Sequence, residues 1–229
     1  MRLQACGITL AGRRPDNQDA VAMPIHGLLP DGQLMCASAE LTDAAVLIAL
    51  ADGVGGRPDG RWAARSALGA LCAQDIDANS DSVIAAAIAT ASRALSRHRT
   101  LGPGPATTLA GISVNRDTML FFHVGDSRIY SIGEVAVSRL TNDHRSRTDG
   151  RSITRYLGSD AHAIPAIVST PLAPGNYLLA TDGLYAFLKE TDFLLLSEFG
   201  PETALPMLVD TALQNGSNDN ISAVAIQIK

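Results

Sequence analysis

The alternation of apolar and polar positions predicts a layered protein built from many short strands and a few helices. Runs with the length and composition of strands fall at 2–10, 20–25, 33–38, 45–51, 107–115, 118–124, 127–132, 134–140, 166–170, 176–181 and 221–228. Apolar residues at helical spacing predict helices at 60–76, 80–98, 183–188, 190–198 and 201–214. Since strands and helices do not alternate as βαβ units would, the pattern favours an α+β fold of mostly antiparallel sheet layers covered by helices.

Four aspartates stand where these predicted strands end or begin. Asp52, Asp126 and Asp182 come directly after the runs VLIALA, LFFHV and YLLA or one residue later, and Asp219 precedes the last run. Carboxylates this far apart in sequence share a pocket only if the fold gathers them, and gathered carboxylates repel each other unless a cation is present. Oxygen ligands suit hard ions such as Mg²⁺ or Mn²⁺. The pattern therefore predicts a metal-dependent enzyme that acts on phosphate.

The glycine-rich turn at 53–60 invites comparison with a phosphate-binding loop, because it lies between a predicted strand and a predicted helix. Its last glycine is followed by Arg61-Trp62 and not by Lys-Ser/Thr, so nucleotide binding is disfavoured. Asp52 is better explained as a metal ligand. Gly53, which lacks a side chain, would let its backbone carbonyl approach the same ion.

The segment Arg14-Pro15-Asp16-Asn17-Gln18-Asp19 follows the first predicted strand. Taken alone it is an ordinary polar turn, since Pro-Asp-Asn is good turn chemistry. Taken with the four aspartates, Arg14 becomes a candidate bidentate phosphate clamp and Asp19 a candidate supporting acid.

Composition and charge narrow the function classes. A chain of 229 residues fits one large domain or two small ones, and 46% apolar residues suffice for a sizeable core. The net charge of −5 provides no basic surface for nucleic acid. No apolar run approaches the roughly 20 residues that cross a bilayer, and the N-terminal stretch lacks a cleavage-site context. These features predict a soluble, cytoplasmic protein without membrane or nucleic-acid partners.

The chain has three cysteines, Cys6, Cys36 and Cys72, which are widely spaced and form no CxxC pair. We expect three small buried side chains without disulfide bonds, in a reducing compartment.

Eight short motifs occur in an order that resembles a known family. They are Arg14-x-x-Asn17-Gln18-Asp19, Asp52-Gly53-Val54-Gly55-Gly56, Thr107-Thr108, Gly125-Asp126-Ser127-Arg128, Leu140-Thr141-x-Asp143-His144, Ile153-Thr154-Arg155, Thr181-Asp182-Gly183-Leu184 and Asp219-Asn220-Ile221. In this order they resemble the metal-dependent Ser/Thr protein phosphatases of the PP2C (PPM) family in their compact bacterial form. The resemblance covers residues from about 8 to 228.

The resemblance implies a central β-sandwich flanked by helices, formed by a single domain over 1–229, with two Mn²⁺ or Mg²⁺ ions at one end. Asp52 would bridge the two ions, the Gly53 carbonyl would bind one, and Asp182 and Asp219 would hold the other. A third, weaker ion would lie beside Asp126. The remaining matches are Arg14 as the residue that receives the substrate phosphate, and Asp19, Gln18 and Asn220 as residues that order water and ligands around the ions.

The implied reaction is hydrolysis of phosphoserine or phosphothreonine in proteins by a metal-activated water. The partners would be phosphorylated substrates of a Ser/Thr kinase in bacterial signalling. The alternative is a catalytically inactive PP2C-like module that binds a phosphorylated partner. The presence of all the core aspartates argues against that alternative, and metal-dependent turnover of p-nitrophenyl phosphate would distinguish the two.

The sequence departs from the family at three places. Gln18 stands where the family often has an acid, which favours a water-mediated role. Val54 stands where some members have a histidine proposed as a general acid, so the leaving group must be protonated from elsewhere. The flap, the segment at about 142–157 beside the active site, is unusually short between His144 and Ile153, which should leave the site open.

Three arginines of the flap, Arg145, Arg147 and Arg151, lie close together with Asp149 as the only acid. They form either a solvated loop without a role or a basic patch that attracts phosphorylated or acidic peptides.

Two histidines and one turn complete the candidates. His123 lies inside a predicted strand, where a histidine is more often part of the sheet than a ligand. For His144, a structural bond to the loop is at least as consistent with the sequence as a catalytic role. Ser127 and Arg128 are expected to support the turn that carries Asp126.

Overall fold

Two six-stranded antiparallel sheets form the centre of the computed structural model, which describes residues 1–74, 79–98, 102–150, 152–159 and 163–229. The first sheet has the order β4 (Met35–Glu40), β1 (Arg2–Leu10), β12 (Ile221–Ile228), β11 (Gly175–Ala180), β8 (Arg128–Ile132) and β9 (Val137–Arg139). The second has the order β10 (Ala166–Pro171), β7 (Thr118–Val124), β6 (Leu109–Val114), β5 (Val46–Asp52), β2 (Asp19–Met23) and β3 (Gly27–Leu28). The predicted α+β fold with mostly antiparallel sheets is confirmed.

Helices cover the outer face of each sheet. They are α1 (Gly60–Cys72), α2 (Asp81–Ser96), α3 (Asp182–Tyr185), a 3₁₀ helix (Glu190–Leu194) and α4 (Leu195–Gln214). Helix α4 is broken at Gly200, which has φ 73° and ψ 172° and precedes a proline, so the predicted boundary between 190–198 and 201–214 is confirmed. Within the described part of the chain, no helix is both long enough and apolar enough to span a membrane.

The packing explains why most strands read as continuous apolar runs. Ile48 and Leu50 of β5 point into the core between the two sheets, whereas Ala49 and Ala51 face helices α1 and α2. A strand that is covered on both faces is apolar at successive positions, because neither face meets water. Alanines on the helix-facing side, with Ala63 of α1 opposite them, let helix and sheet approach closely.

The structure differs from the sequence prediction mainly at strand ends. The strand predicted at 107–115 begins at Leu109, because Thr107 forms isolated bridges to Gly53 and Leu157. The strand predicted at 134–140 is only Val137–Arg139, and the two-residue strand β3 was not predicted. These short pairings depend on neighbours that are distant in sequence, which apolar periodicity does not reveal.

The expectation of three buried, unbridged cysteines is wrong. Cys6 of β1 and Cys36 of β4 lie directly opposite each other in the strand register, with Cα atoms 4.1 Å apart, and form a disulfide. Cys72 is free and exposed at the end of α1. The pairing depends on the register between two strands that are not consecutive in the chain, so the spacing of cysteines along the sequence could not predict it.

Candidate metal and phosphate site

Strand pairing brings the predicted site residues together at one end of the two sheets. Asp52 at the end of β5 lies opposite Asp19 at the start of β2. The N–H of Thr181 donates to the Ser222 carbonyl at 3.0 Å, which brings the end of β11 beside the start of β12. A cavity of about 350 Å³ forms there and is lined by all but one of the predicted site residues: Arg14, Gln18, Asp52, Gly53, Asp126, Asp182, Asp219 and Asn220.

Asp19 lies behind this cavity and contacts the residues that form it. Its side chain is buried, and its carboxylate accepts a hydrogen bond from the Thr181 hydroxyl at 3.0 Å. Asp19 therefore connects the end of β5 to the segment that carries Asp182, and its role as a supporting acid stays a prediction.

A pair of threonines fixes the backbone of Asp52. The Thr107 hydroxyl and the Thr108 N–H both donate to the Asp52 carbonyl at 2.8 Å, and the Asp52 N–H donates to Oγ1 of Thr108 at 3.0 Å. Oγ1 of Thr108 also lies 2.8 Å from Oγ of Ser127, beside Asp126. The Thr-Thr motif thus holds two aspartate-bearing turns in one rigid arrangement.

Two glycines of the Asp-Gly motifs are required by close approach of the backbone. A Cβ atom at Gly53 would lie 2.7 Å from the backbone of Gly60, and one at Gly183 would overlap the carbonyl oxygen of Asn220. The glycine after each aspartate therefore lets neighbouring segments of the site touch.

Desolvation and mutual repulsion raise the pKa values of the site's carboxyl groups. Removal from water raises the pKa of Asp52 well above its ordinary value, and Asp19 and Asp182 raise it further. Desolvation raises the pKa of Asp19 to about 7, although hydrogen bonds from Ser222 and Thr181 oppose the shift. Desolvation, with repulsion from Asp126 and Asp219, raises the pKa of Asp182 to about 6. Such a cluster favours either protons or a bound cation.

Two arginines supply positive charge at the edges of the cluster. Arg14, whose side chain is 52% exposed, binds both carboxylate oxygens of Asp219 at 3.1 and 2.9 Å. Arg145 binds Asp126 at 2.7 Å and lies 3.9 Å from Asp182. Arg14 is therefore at the mouth of the cavity, where its planar fork can exchange a carboxylate for a phosphoryl group.

The donor set fits hard divalent ions, although no complete set of metal ligands is already assembled. Within the described residues, no three His, Cys, Asp or Glu side chains stand in an arrangement that could hold a metal ion. Arg14 and Arg145 hold the carboxylates of Asp219 and Asp126 at the edges of the carboxylate cluster. The cavity lining nevertheless contains five carboxylates and neither a histidine nor a cysteine, which is the chemistry of a Mg²⁺ or Mn²⁺ site and not of a zinc site.

Asn220 organises the loop that carries Arg14. Its amide nitrogen donates to the carbonyls of Ala11 and Asp16 at 3.0 and 2.8 Å, and its Oδ1 accepts the Gln18 N–H at 2.9 Å. The Gln18 carbonyl in turn accepts the Gly53 N–H at 3.2 Å. Through these hydrogen bonds, Asn220 joins the Arg14 loop to the start of β12.

Sequence reasoning missed a second group of contacts under the same loop. Arg61 of α1 binds Asp16 at 2.8 Å and Asp31 at 3.0 Å, and Asp31 also accepts a hydrogen bond from Asn17. Arg61, Asp16 and Asp31 come from separate segments of the chain, so no local sequence pattern identifies them as partners. Together these contacts fix the Arg14 loop to α1.

The histidines have structural roles. The Gly125 N–H donates to Nδ1 of His144 at 3.1 Å, and the His144 ring stacks on His123 with centroids 4.5 Å apart. Desolvation and His123 lower the pKa of His144 to about 4, so its ring is neutral at pH 7.

Arg128 binds both carboxylate oxygens of Asp143 at 2.7 to 3.3 Å. These contacts hold the turn that carries Asp126, as expected for Arg128.

The three flap arginines do not form one exposed set. Arg145 is half-buried and paired with Asp126, so its assignment to a solvent-facing patch is wrong. Arg147 is exposed, and Arg151 lies outside the described residues. The carboxylate of Asp126 was not visible to sequence reasoning as a partner for Arg145, because the two residues lie on different turns.

Comparison with known proteins identifies the family. Residues 33–207 match the protein phosphatase 2C family, and the chain therefore belongs to it. The serine/threonine protein phosphatase PstP of Mycobacterium tuberculosis is 27% identical over 207 residues, which covers 80% of this chain and 40% of that protein. The chain thus spans about two fifths of the length of this curated relative.

Solved structures support the same fold. The serine/threonine phosphatase of S. agalactiae has a TM-score of 0.82 at 22% identity, covering 99% of this chain and 100% of that one. The M. tuberculosis phosphatase PstP/Ppp has a TM-score of 0.79 at 24% identity, and all of both chains is covered. The expected sandwich flanked by helices is confirmed.

Proposed function

We propose that this chain is a metal-dependent phosphatase that removes phosphate from serine or threonine in proteins. The observation that carries the proposal is the single cavity where Asp52, Asp126, Asp182 and Asp219 meet Arg14. Membership of the protein phosphatase 2C family supports it. The alternative, an inactive module that binds phosphorylated proteins, would not need four carboxylates gathered beside Arg14.

The carboxylates of Asp52, Asp182 and Asp219, with the Gly53 carbonyl, would hold two Mn²⁺ or Mg²⁺ ions, and Asp126 would contribute to a third. The chemistry that such ions supply when bound is a nucleophilic water near neutral pH and stabilisation of phosphoryl charge.

The protein's own groups bind and orient the substrate. Arg14 lies at the mouth of the cavity, and its two parallel N–H groups match two oxygens of a phosphoryl group as well as they match Asp219. Asn220 and Arg61 fix the loop that carries Arg14. A phosphate that binds Arg14 is thereby held against the carboxylate cluster at one fixed place, which favours attack in line.

The wider assignments rest on the same proposal. The substrates would be phosphoproteins made by a Ser/Thr kinase, and the whole of 1–229 would form one phosphatase domain. The cytoplasmic location stays a prediction. The part of that argument which rested on unpaired cysteines no longer supports it, since Cys6 and Cys36 are bonded.

Turnover tests the proposal directly. The protein should hydrolyse p-nitrophenyl phosphate and a phosphothreonine peptide with Mn²⁺, and a chelator should stop both reactions. Arg14→Ala should raise KM for the peptide more than it lowers kcat, because a ground-state phosphate contact is lost. As a matched control, Arg147→Ala removes an exposed arginine outside the cavity lining and should change neither constant for p-nitrophenyl phosphate. A protein that folds and binds Mn²⁺ but hydrolyses neither substrate would overturn the proposal.

A further inference from the structure

A second cavity adjoins the catalytic one. It has a volume of about 550 Å³ and shares with the first cavity the residues Val54, Gly55, Asp126, Ile153 and Asp182. The two cavities are therefore parts of one continuous depression. The lining that belongs to the second cavity alone is Arg57, Arg145, Ser152 and Tyr156.

Arg57 is held in place by neutral groups. One guanidinium nitrogen donates to the Tyr156 hydroxyl at 2.7 Å, and the other donates to the Gly104 carbonyl at 3.3 Å. The guanidinium carbon lies 4.7 Å from the centroid of the Tyr156 ring. A hydrogen bond, a carbonyl contact and an aromatic face together fix the side chain without neutralising it.

The two arginines of this cavity differ in their charge balance. Arg145 is compensated by Asp126 at 2.7 Å. Arg57, in contrast, has no carboxylate within 4.0 Å in the described part of the chain. A half-buried guanidinium without a counter-charge gains free energy when an anion reaches it, because part of its hydration has already been lost.

We propose that Arg57, positioned by Tyr156, binds a second anionic group of the phosphoprotein substrate. The group is an oxyanion on a residue near the phosphorylated one, supplied by an Asp or Glu carboxylate or by a second phosphate. Arg57 thus sets a preference for acidic or multiply phosphorylated segments. The inference rests on the proposed phosphatase function, since the same depression holds the reacting phosphate.

The alternative is that Arg57 only fixes the glycine-rich turn at 53–60 to Gly104 and Tyr156. A clamp would affect all substrates alike, because it would act through the shape of the loop that carries Asp52. A binding role affects only substrates that carry the second anion. The ratio between two substrates therefore separates the two roles, whereas activity on a single substrate does not.

The experiment compares phosphothreonine peptides that differ at one flanking position, from three residues before to three residues after the phosphothreonine. Each position carries Asn, Asp or phosphoserine in turn, and loss of the phosphothreonine phosphate is followed by mass spectrometry. The proteins are the parent, Arg57→Gln, and Arg147→Gln as a matched control, which loses the same charge from an exposed site of the flap. Melting temperatures establish that each variant is folded.

We expect the parent to prefer Asp over Asn in kcat/KM by about 3- to 10-fold at one or two positions, the size of a partly exposed charge contact. Arg57→Gln should bring that ratio close to one, and Arg147→Gln should keep it. A preference restricted to phosphoserine identifies the second group as phosphate. A ratio that survives in Arg57→Gln, an equal loss on every peptide, or equal effects of both substitutions would overturn the inference.

Failure of the proposed function would be seen separately. Binding of the same fluorescently labelled peptides is measured by anisotropy alongside turnover. A parent protein that hydrolyses nothing would contradict the phosphatase proposal, whereas the ratio of Kd values for Asp and Asn peptides would still test Arg57. If that ratio is the same in the parent and in Arg57→Gln, the second-anion site is disproved.

Discussion

The Asp52 carboxylate, which the proposed reaction needs, destabilises the folded protein when no metal is bound. It lies among Asp19, Asp126 and Asp182, and desolvation and these neighbours all disfavour its charged form. Asn has nearly the same shape and carries no charge. We therefore expect Asp52→Asn to raise the melting temperature of the metal-free protein by a few degrees, at about 2–4 °C per kcal/mol for a chain of this size, while it abolishes phosphatase activity.

Calorimetry in a chelator, with activity in Mn²⁺, checks this prediction. Asp210→Asn, at an exposed position of α4, is the control and should change neither quantity. A lower melting temperature for Asp52→Asn would show that its carboxylate stabilises the fold without metal, contrary to the electrostatic argument.

Asp19 gives the metal-free protein a defined pH dependence. Its pKa is raised from 3.8 to about 7 in the folded state, so the folded state keeps a proton that the unfolded state releases. Between those two pH values, the free energy of unfolding falls as pH rises. We expect the chelated protein to lose stability from about pH 4 to about pH 7, and Asp19→Asn to reduce this loss. Chemical denaturation across this range measures the slope, and an unchanged slope in Asp19→Asn would contradict the assignment.

Arg145 occupies a position that bears on the number of bound ions. Its contact with Asp126 at 2.7 Å puts a cation beside the carboxylate expected to bind the third, weaker ion. We expect Arg145→Ala to strengthen or add a weak Mn²⁺-binding event in titration calorimetry, and Arg145→Lys to resemble the parent. Identical titrations for Arg145→Ala and the parent would mean that the arginine and the ion do not compete.

At the scale of elements, the apolar pattern predicted most strands and helices because both sheet faces and one helix face are buried. It also predicted the break in α4, since Gly200-Pro201 cannot continue a helix. It did not predict β3 or the bounds of β9, because these exposed pairings of two or three residues depend on the neighbouring strand and not on their own composition. Strand ends near the site also differ, because hydrogen bonds such as those of Thr107 replace the ladder there.

The start of α3 shows how an element serves the site. Gly183 lies against the backbone of Asn220, where a Cβ would overlap the carbonyl oxygen, so Gly183→Ala must push Asp182 away from Asp219. We expect it to reduce activity by at least about 10-fold and to lower the melting temperature, as overpacking against backbone does. Gly69→Ala is the control. It adds a methyl group to the last turn of α1, where no atom beyond the chain neighbours and the helix's own backbone lies within 4 Å, so it should be neutral or slightly stabilising. Equal effects of both substitutions would reject the close-approach argument.

At the scale of the whole molecule, the candidate site depends on contacts between distant parts of the chain. The aspartates were identified from sequence because each follows or precedes a strand-like run. Their partners were not, since the pairs Arg14–Asp219 and Arg145–Asp126 depend on sheet order and loop packing. Arg57 lies inside a recognised motif loop, but only the structure revealed Tyr156 beside it and the absence of a counter-charge within the described residues.

The disulfide between Cys6 and Cys36 contributes to the stability of the whole molecule. Cys6 and Cys36 are 30 residues apart, and the loop they close contains the Arg14 segment. In the chain-entropy model, closing a loop of this length stabilises the folded state by about 3–4 kcal/mol. We expect Cys36→Ser, or a reductant, to lower the melting temperature by about 6–16 °C, at about 2–4 °C per kcal/mol. Activity at lower temperature should stay close to that of the parent, because Asn220 and Arg61 hold the Arg14 loop independently of the disulfide.

Cys72→Ser is the matched control, since Cys72 is exposed and unbridged. Its melting temperature and its response to reductant should equal those of the parent. If reductant leaves the parent's melting temperature unchanged while mass spectrometry shows both thiols free, the disulfide contributes nothing to stability and the loop-entropy argument is wrong. If Cys36→Ser instead raises KM for phosphopeptide at a temperature where it is fully folded, the position of Arg14 depends on the sheet edge. The anchoring contacts of Asn220 and Arg61 would then be insufficient on their own.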